Sequence, residues 1–235
     1  MISALIPARS GSKRVKNKNI RELAGLPLFA YSIKTAQNCP SISEVFVTTD
    51  SLDYMELATQ HYCDVIKRPP ELARDDSLDV DYVTHALPYL NSSNRFIAIL
   101  RPTTPIRTVT LIETAIREFF NLATEPNAPT SLRSVHEMSE SAYKCFMMPH
   151  GKLLTPIGTI PNAPNQFQIR TYQANGYIDI VRRDYIEQEQ DLYGPRIYGF
   201  ETPPAVEIDT EHDLKIAAYE MALREGGEDV FFTYP

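Results

Sequence analysis

The sequence contains no tryptophan and only three cysteines, Cys39, Cys63 and Cys145. They are widely spaced, with no C-x-x-C pair and no histidine nearby in the pattern zinc sites use, so reduced structural thiols are expected rather than a metal centre. No run approaches the ~20 apolar residues that span a bilayer, and no basic segment followed by an apolar core opens the chain, which predicts a soluble, cytosolic protein. Positive charge is in deficit, with 23 Lys+Arg against 30 Asp+Glu and a formal charge of −7. That balance excludes a general nucleic-acid or anionic-membrane binder. No internal repeat is visible. What the chain does have is 235 residues, 43% of them hydrophobic, enough for one buried core. A single domain, 1–235, is expected.

Against the acidic background one stretch is strongly basic. Arg9, Lys13, Arg14, Lys16, Lys18 and Arg21 all precede Glu22, the first acidic residue. The segment Ala8-Arg9-Ser10-Gly11-Ser12-Lys13 follows a short apolar run, Ile2 to Ile6, that reads as a buried parallel strand. Small side chains and one flexible position let consecutive N–H groups turn toward an oxyanion while the cations neutralise it. Open α/β sheets bind ligands beyond the C-terminal ends of their strands, which is where this loop would lie. It reads either as a polyphosphate-binding loop or as a solvated basic loop.

Helical spacing of Phe29, Ser32, Ile33 and Ala36 predicts a helix over 28–37, and Glu44 to Asp50 a strand, with Ser51 capping a helix through about His61. Asp64 to Ile66 is a weak strand, followed by a charged, proline-rich loop from Lys67 to Ser77. Val80, Val83, Thr84 and Leu87 mark another helix, and Phe96 to Leu100 the strongest strand, covered on both faces. The β-α alternation points to a parallel sheet. The loop Arg101-Pro102-Thr103-Thr104-Pro105-Ile106-Arg107 would then leave the sheet on the same side as the basic loop. Leu111 to Phe120 carries an apolar helical stripe. From 131 to 197 the alternation lapses into short pieces with an Asn175-Gly176 turn signal, predicting an insertion that carries part of the site and a dimer contact. Ala205 to Asp209 reads as a strand end, Thr210 and Asp213 as a capping box, and Leu214 to Met221 as the last helix.

Two carboxylate pairs stand out. Glu207 and Asp209 would share a face of an extended segment, suited to Mg²⁺, which takes a few hard oxygens plus water and substrate phosphates; an acidic helix cap is the alternative. Asp79 and Asp81 sit within a helical pattern, where residues two apart face different ways, and read as a helix N-terminus.

The stretch Ile6-Pro7-Ala8-Arg9-Ser10-Gly11-Ser12-Lys13, ending in Lys16-Asn17-Lys18-Asn19, resembles the opening of the acylneuraminate (sialic acid) cytidylyltransferase family, which makes CMP-activated nonulosonic acids from CTP. The likeness extends to Arg68-Pro69 with Asp75-Asp76-Ser77, Leu100 to Arg107, Asn175-Gly176 and Val206-Glu207-Ile208-Asp209-Thr210. It implies a Rossmann-like, doubly wound, mostly parallel α/β sheet of the nucleotide-diphospho-sugar transferase type, with a small β-rich dimerisation insertion. It also implies that Arg9, Lys13, Lys18 and Asn19 contact the nucleotide phosphates, with Ala8, Ser10, Gly11 and Ser12 as the loop backbone. Arg68 and Ser77 would lie around base and ribose. Lys144 would reach the sugar acid or triphosphate. Thr103, Thr104, Gln166, Asn175 and Gly176 would line the sugar side, and Glu207 and Asp209 would hold Mg²⁺. Catalysis would fall to Arg9, Lys18 and Asp209, acting on CTP and a small sugar acid in a cytoplasmic homodimer.

The resemblance implies that the anomeric hydroxyl of a 2-keto sugar acid attacks the α-phosphorus of CTP and pyrophosphate leaves, the protein supplying position and charge neutralisation. Two departures fall on the sugar side. Relatives carry Leu-Gln-Pro where this chain has Leu100-Arg101-Pro102, and Arg-Gln-x-Leu-Pro where it has Asn165-Gln166-Phe167-Gln168-Ile169. Competing readings are an octulosonate-type or other sugar nucleotidyltransferase, and a nucleotide-binding module without turnover. Lys18-Asn19 in place of the octulosonate enzymes' Lys-Pro favours a nonulosonic acid. Arg101, fixed at a strand end, needs an anionic partner; the expected one is the substrate carboxylate, with Glu207 or Asp209 as the structural alternative.

Overall fold

The structure, a computed structural model, describes residues 1–151, 153–158, 164 and 169–225. Along the chain, strand β1 (Ile2–Pro7) leads through the basic loop to a short hairpin, β2 (Glu22–Leu23) and β3 (Leu26–Pro27). Then come α1 (Leu28–Gln37), β4 (Ile42–Thr49), α2 (Leu52–Gln60), β5 (Asp64–Lys67), α3 (Asp79–Ala86), β6 (Phe96–Ile99) and α4 (Val109–Leu122). The second half contributes β7 (Ser131–Glu137), a hairpin of β8 (Phe146–His150) and β9 (Leu153–Pro156), β10 (Tyr172–Arg182), α5 (Arg183–Glu189), β11 (Ile197–Glu201) and α6 (Glu211–Glu225).

Seven strands form one sheet in the order β11-β7-β10-β6-β1-β4-β5. β1 pairs in parallel with β4 and β6, β4 with β5, and β7 with β11, while β10 alone runs antiparallel to its neighbours. The expected mostly parallel, doubly wound α/β sheet is what the chain forms. Alternation decides which side chain meets which layer. Ala4, Ile6, Ala98 and Ile180 pack with Phe29 and Ile33 of α1, Ala58 of α2 and Ile116 and Phe119 of α4. Leu5, Ile97, Ile99 and Val181 face the other way, toward Tyr82 and Val83 of α3 and Ile186 of α5. Helix α6 joins a third cluster through Ala217 and Met221, against Leu28, Tyr31 and Ile208.

Local signals behave as their chemistry requires. Ser51 Oγ accepts the Tyr54 amide, Thr108 Oγ1 the Leu111 amide, and Thr210 and Asp213 exchange hydrogen bonds at the start of α6. Asp79 and Asp81 open α3 as expected, Asp81 accepting from the Leu78 amide at 2.8 Å. Cys39, Cys63 and Cys145 are free thiols; the first two are buried, which pushes their pKa values up to about 12, and the third is exposed. No helix among the described residues is long and apolar enough to cross a membrane.

Three expectations are corrected. The segment 131–197 is not an insertion throughout, because β7 and β10 at its ends are strands of the main sheet, and β11 follows them there. What stands outside that sheet lies between Glu137 and Tyr172 and includes the β8–β9 hairpin. Asn175-Gly176 is likewise no hairpin turn but part of a bulge inside β10, where the register against β7 jumps between Ala174 and Asp179. Ala205 to Asp209 is not a strand. Its anchor is one hydrogen bond from the Ile208 amide to the Thr103 carbonyl (2.7 Å), with the Ile208 side chain buried.

Phe119 has no solvent exposure and stacks edge-on against Phe96 at 5.4 Å, joining α4 to the sheet. Phe119→Ala is expected to lower unfolding stability by about 3–5 kcal/mol. Urea titration checks this, as a shifted midpoint with an unchanged m-value.

Candidate active site

Because β1, β4, β5 and β6 are parallel, the loops after β1, β5 and β6 leave one edge of the sheet and enclose a cleft of about 600 Å³. The expectation that the basic loop and the Arg101 loop face one cleft holds. Arg9, Ser12, Lys13, Arg14, Lys18 and Asn19 line it from the first loop, and Arg68, Asp75, Ser77 and Asp79 from the segment after β5 and the start of α3. Arg101, Thr103 and Asp209 form the far wall.

The basic loop is pinned from behind. The Ala8 amide donates to the Thr48 carbonyl, and the Ser10 amide and hydroxyl both donate to Asp50 at 2.9 and 2.7 Å. The Asn19 amide group donates to the Arg9 carbonyl at 2.9 Å, and Asn17 takes the left-handed conformation (φ 54°) that returns the chain toward the sheet. Ala8, Ser10 and Gly11, expected at the nucleotide, do not line the cleft: Ala8 is buried in the core and Ser10 is turned to Asp50. Ser12 does line it.

Each cation of the loop that reaches the cleft meets a carboxylate. Arg9 (3.0 Å) and Lys13 both pair with Asp75, and Arg14 (3.2 Å) and Lys18 (2.9 Å) both pair with Asp209. Lys13 and Arg9 hold the Asp75 carboxyl below the usual carboxylate range. At the next corner Arg68 is buried over the Tyr82 ring, 4.5 Å from its centroid, with Nη2 donating to the Thr48 carbonyl. Ser77 Oγ donates to the Glu71 carbonyl and accepts from the Arg74 amide, which fixes the loop rim.

The far wall departs from expectation. Arg101 Nη2 contacts Asp79 (2.7 Å), Asp179 (3.0 Å) and the Tyr193 hydroxyl (3.2 Å), while its buried Nη1 has no partner among the described residues. Burial works against its charge, but Tyr82, Asp179 and Asp79 outweigh it and the pKa is raised. Its structural partners are therefore Asp79 and Asp179, not Glu207 or Asp209. With two carboxylates already on the guanidinium, a substrate carboxylate would meet like charge there, and the expected grip on that group is not supported.

Thr104, Asn175 and Gly176, expected on the sugar side, lie behind this wall. Thr104 is fully buried with Oγ1 donating to the Asn175 carbonyl, and Asn175 Nδ2 donates to Thr202 Oγ1. Gly176 has φ +63°, and a Cβ there would sit 3.0 Å from Thr104 Oγ1 and 3.4 Å from Arg101 Cδ. Arg107 ties these pieces together. Its buried guanidinium donates to the carbonyls of Tyr177 (2.6 Å), Arg101 (2.5 Å) and Gly176 (2.9 Å) and to Ser32 Oγ (3.0 Å). Burial pulls its pKa down to about 9.

Lys144 does not line the cleft; it sits in a short turn outside the main sheet and pairs with Glu140 at 2.9 Å. Gln166 lies outside the described residues. Glu207 is exposed and does not line the cleft, whereas Asp209 does. Sequence reasoning did not single out Asp75, Asp179, Tyr193 or Arg107, and it read Asp79 only as a helix start. Asp75 sat in a loop already suspected, and the adjacent carboxylates Asp75 and Asp76 were the available signal.

Residues 3–218 match a family model described as cytidylyltransferase. The N-acylneuraminate cytidylyltransferase of Escherichia coli is 30% identical over 227 residues, 92% of this chain and 51% of that protein. The CMP-N,N'-diacetyllegionaminic acid synthase of Campylobacter jejuni is 28% identical over 253 residues, covering 95% of this chain and 96% of its own. The chain spans about half the length of the Escherichia coli relative and of N-acylneuraminate cytidylyltransferases from Streptococcus agalactiae. Among solved structures, a CMP:2-keto-3-deoxy-manno-octonic acid synthetase complexed with CTP superposes with a TM-score of 0.73 at 18% identity, covering 95% of this chain and 99% of that one. At that identity the likeness is one of fold.

Asp179 is 2% exposed, and without Arg101 it keeps only Arg133 at 3.4 Å and the Tyr193 hydroxyl at 3.1 Å as partners. Arg101→Gln is expected to lower stability without any ligand, by less than the ~3–5 kcal/mol of a buried charge left with no partner, because Arg133 remains on Asp179. Adding Asp179→Asn to that variant should recover part of the loss; a urea-melt double-mutant cycle with no coupling would refute the pair.

Proposed function

The chain belongs to the cytidylyltransferase family, and from that premise we propose that it transfers CMP from CTP to the anomeric hydroxyl of a nonulosonic (sialic-type) acid, releasing pyrophosphate. The observation that carries the reading is the convergence of Arg9, Lys13, Arg14 and Lys18 on one cleft at the C-terminal edge of a parallel sheet, in a chain of net charge −7. Relatives whose names specify N-acylneuraminate and N,N'-diacetyllegionaminic acid supply the substrate class. Residues 1–235 act as a single nucleotidyltransferase domain in this reading.

In the mechanism that follows, Arg9 and Lys13 take the outer phosphates of CTP and Lys18 the charge that develops around the α-phosphorus. Arg68 on Tyr82, with Ser77, borders the nucleoside. Thr103 and the Arg101 wall border the sugar acid, whose carboxylate is better placed toward Arg14 and Lys18 than toward the twice-neutralised Arg101. Of the two carboxylates, Asp209 is the one that suits a hard divalent cation at the cleft, which it faces half-exposed, whereas Glu207, two residues earlier, is exposed but does not line it. Mg²⁺ held at Asp209, with Glu207 reaching it only after turning toward the cleft, would neutralise phosphate charge and acidify the attacking hydroxyl. Lys18 and Arg14 hold Asp209 in place, and substrate phosphates would give those cations a second anion. Rates under this scheme come from position and electrostatics rather than from a side-chain base.

A homodimer is part of the proposal. The segment between Glu137 and Tyr172 leaves Phe146, Met147, Met148 and Leu154 about half exposed, an apolar surface suited to a second copy. Three free thiols fit a reducing, cytoplasmic setting.

The reading is tested by pyrophosphate release with CTP, Mg²⁺ and a panel of N-acetylneuraminate, N,N'-diacetyllegionaminate and 3-deoxy-octulosonate. Turnover is expected with a nonulosonic acid; preference for the octulosonate would redirect the assignment, and CTP binding without release would leave a nucleotide-binding module. Asp209→Asn is expected to abolish turnover with the fold intact, and wild-type activity of that variant at limiting Mg²⁺ would remove the metal role. Arg9→Ala and Lys18→Ala should each lower kcat/KM for CTP by about tenfold or more, the scale of one charge-assisted hydrogen bond.

A further inference from the structure

Arg9 and Lys13 share a single carboxylate, and it comes from the opposite side of the cleft. Asp75 lies in the loop that follows β5, and Arg9 is tied to that loop a second time through the Ala73 carbonyl at 3.3 Å. The carboxylate thus stands between two cations of the polyphosphate loop, where an incoming phosphate oxygen would go. All three side chains are substantially exposed, at 35% for Arg9, 79% for Lys13 and 48% for Asp75. Ion pairs so exposed are weak and salt-screened. A ligand with several negative charges displaces such a carboxylate readily, and one with a single charge gains little by doing so. The neighbouring Asp76 differs: it pairs with Arg74 of its own loop at 3.2 Å and does not reach the basic loop.

We propose that Asp75 is an internal competitor in the polyphosphate subsite, an anion that occupies the Arg9–Lys13 position until a di- or triphosphate displaces it. The inference rests on the reading that a polyphosphate binds in this cleft. Asp75 sets a threshold of ligand charge: CTP and pyrophosphate exceed it, and a nucleoside monophosphate does not. It also returns to Arg9 and Lys13 as pyrophosphate departs, which weakens the hold on that product.

The test is calorimetric binding of CTP, CMP and inorganic pyrophosphate, without sugar acid, to the wild type, Asp75→Asn and Asp76→Asn. Asp75→Asn is expected to bind pyrophosphate and CTP about fivefold tighter, the scale of two exposed ion pairs, while CMP, which does not displace the carboxylate, gains less. Asp76→Asn removes the same charge one residue away and should change these affinities by less than about twofold, the screened long-range effect alone. Equal effects of the two substitutions overturn the inference. So does unchanged or weaker binding by Asp75→Asn, the weaker case identifying Asp75 as a group that orients the cations for the ligand. Wild-type binding of pyrophosphate but not CTP counts against the CTP reading alone, and the variant-to-wild-type ratio for pyrophosphate still decides the role of Asp75.

Discussion

The arrangement of the cleft depends on one constraint, the parallel pairing of β1 with β4 on one side and β6 on the other. Parallel strands send all their outgoing loops to the same edge, so the basic loop, the Arg68 segment and the Arg101 loop meet without any further device. Reversal of any one of these strands would carry its loop to the opposite edge. The apolar runs that make these strands are what hold that direction, since each is covered on both faces by helices.

Within the cleft, charge is distributed in two different ways. Apart from the mostly buried Lys18, the cations of the basic loop are exposed or partly exposed and held by half-exposed carboxylates, an arrangement that an anionic ligand can rearrange at little expense. On the far wall Arg101, Asp179, Tyr193 and Arg107 are largely buried and bonded to one another or to backbone carbonyls. That side is rigid. A loosely paired cationic side thus faces a tightly bonded wall across the cleft.

Much of this was legible in the sequence, and the parts that were not share a cause. β1, β4, β6 and the helices between them declare themselves by unbroken apolar runs and by helical spacing. The basic loop declares itself by contrast with an acidic chain. β7 and β10 were missed as sheet strands because polar inward residues such as Ser131, Ser134 and Asp179 interrupt their pattern, and because the bulge at Asn175 to Ile178 breaks the alternation. Val206 to Asp209 alternates like a strand, yet its neighbour in space is the Thr103 loop rather than a free sheet edge. Site partners fared likewise. Asp75, Asp79 and Asp179 matter through whom they face across the fold, and a linear pattern carries no record of that.

The position of β10 has a consequence for how the chain is made. β6 lies near the middle of the sheet, yet its second neighbour is β10, with Ile99 opposite Asp179. During vectorial synthesis the most apolar strand therefore emerges, pairs with β1, and keeps one edge open while α4, β7 and the hairpin are still being added. An open apolar edge invites intermolecular pairing. Late closure by a distant strand also slows folding, because a long loop must be ordered before its contacts reward it. Nascent chains stopped short of β10 would be the aggregation-prone species, and a helper that shields the β6 edge would act at that stage of elongation.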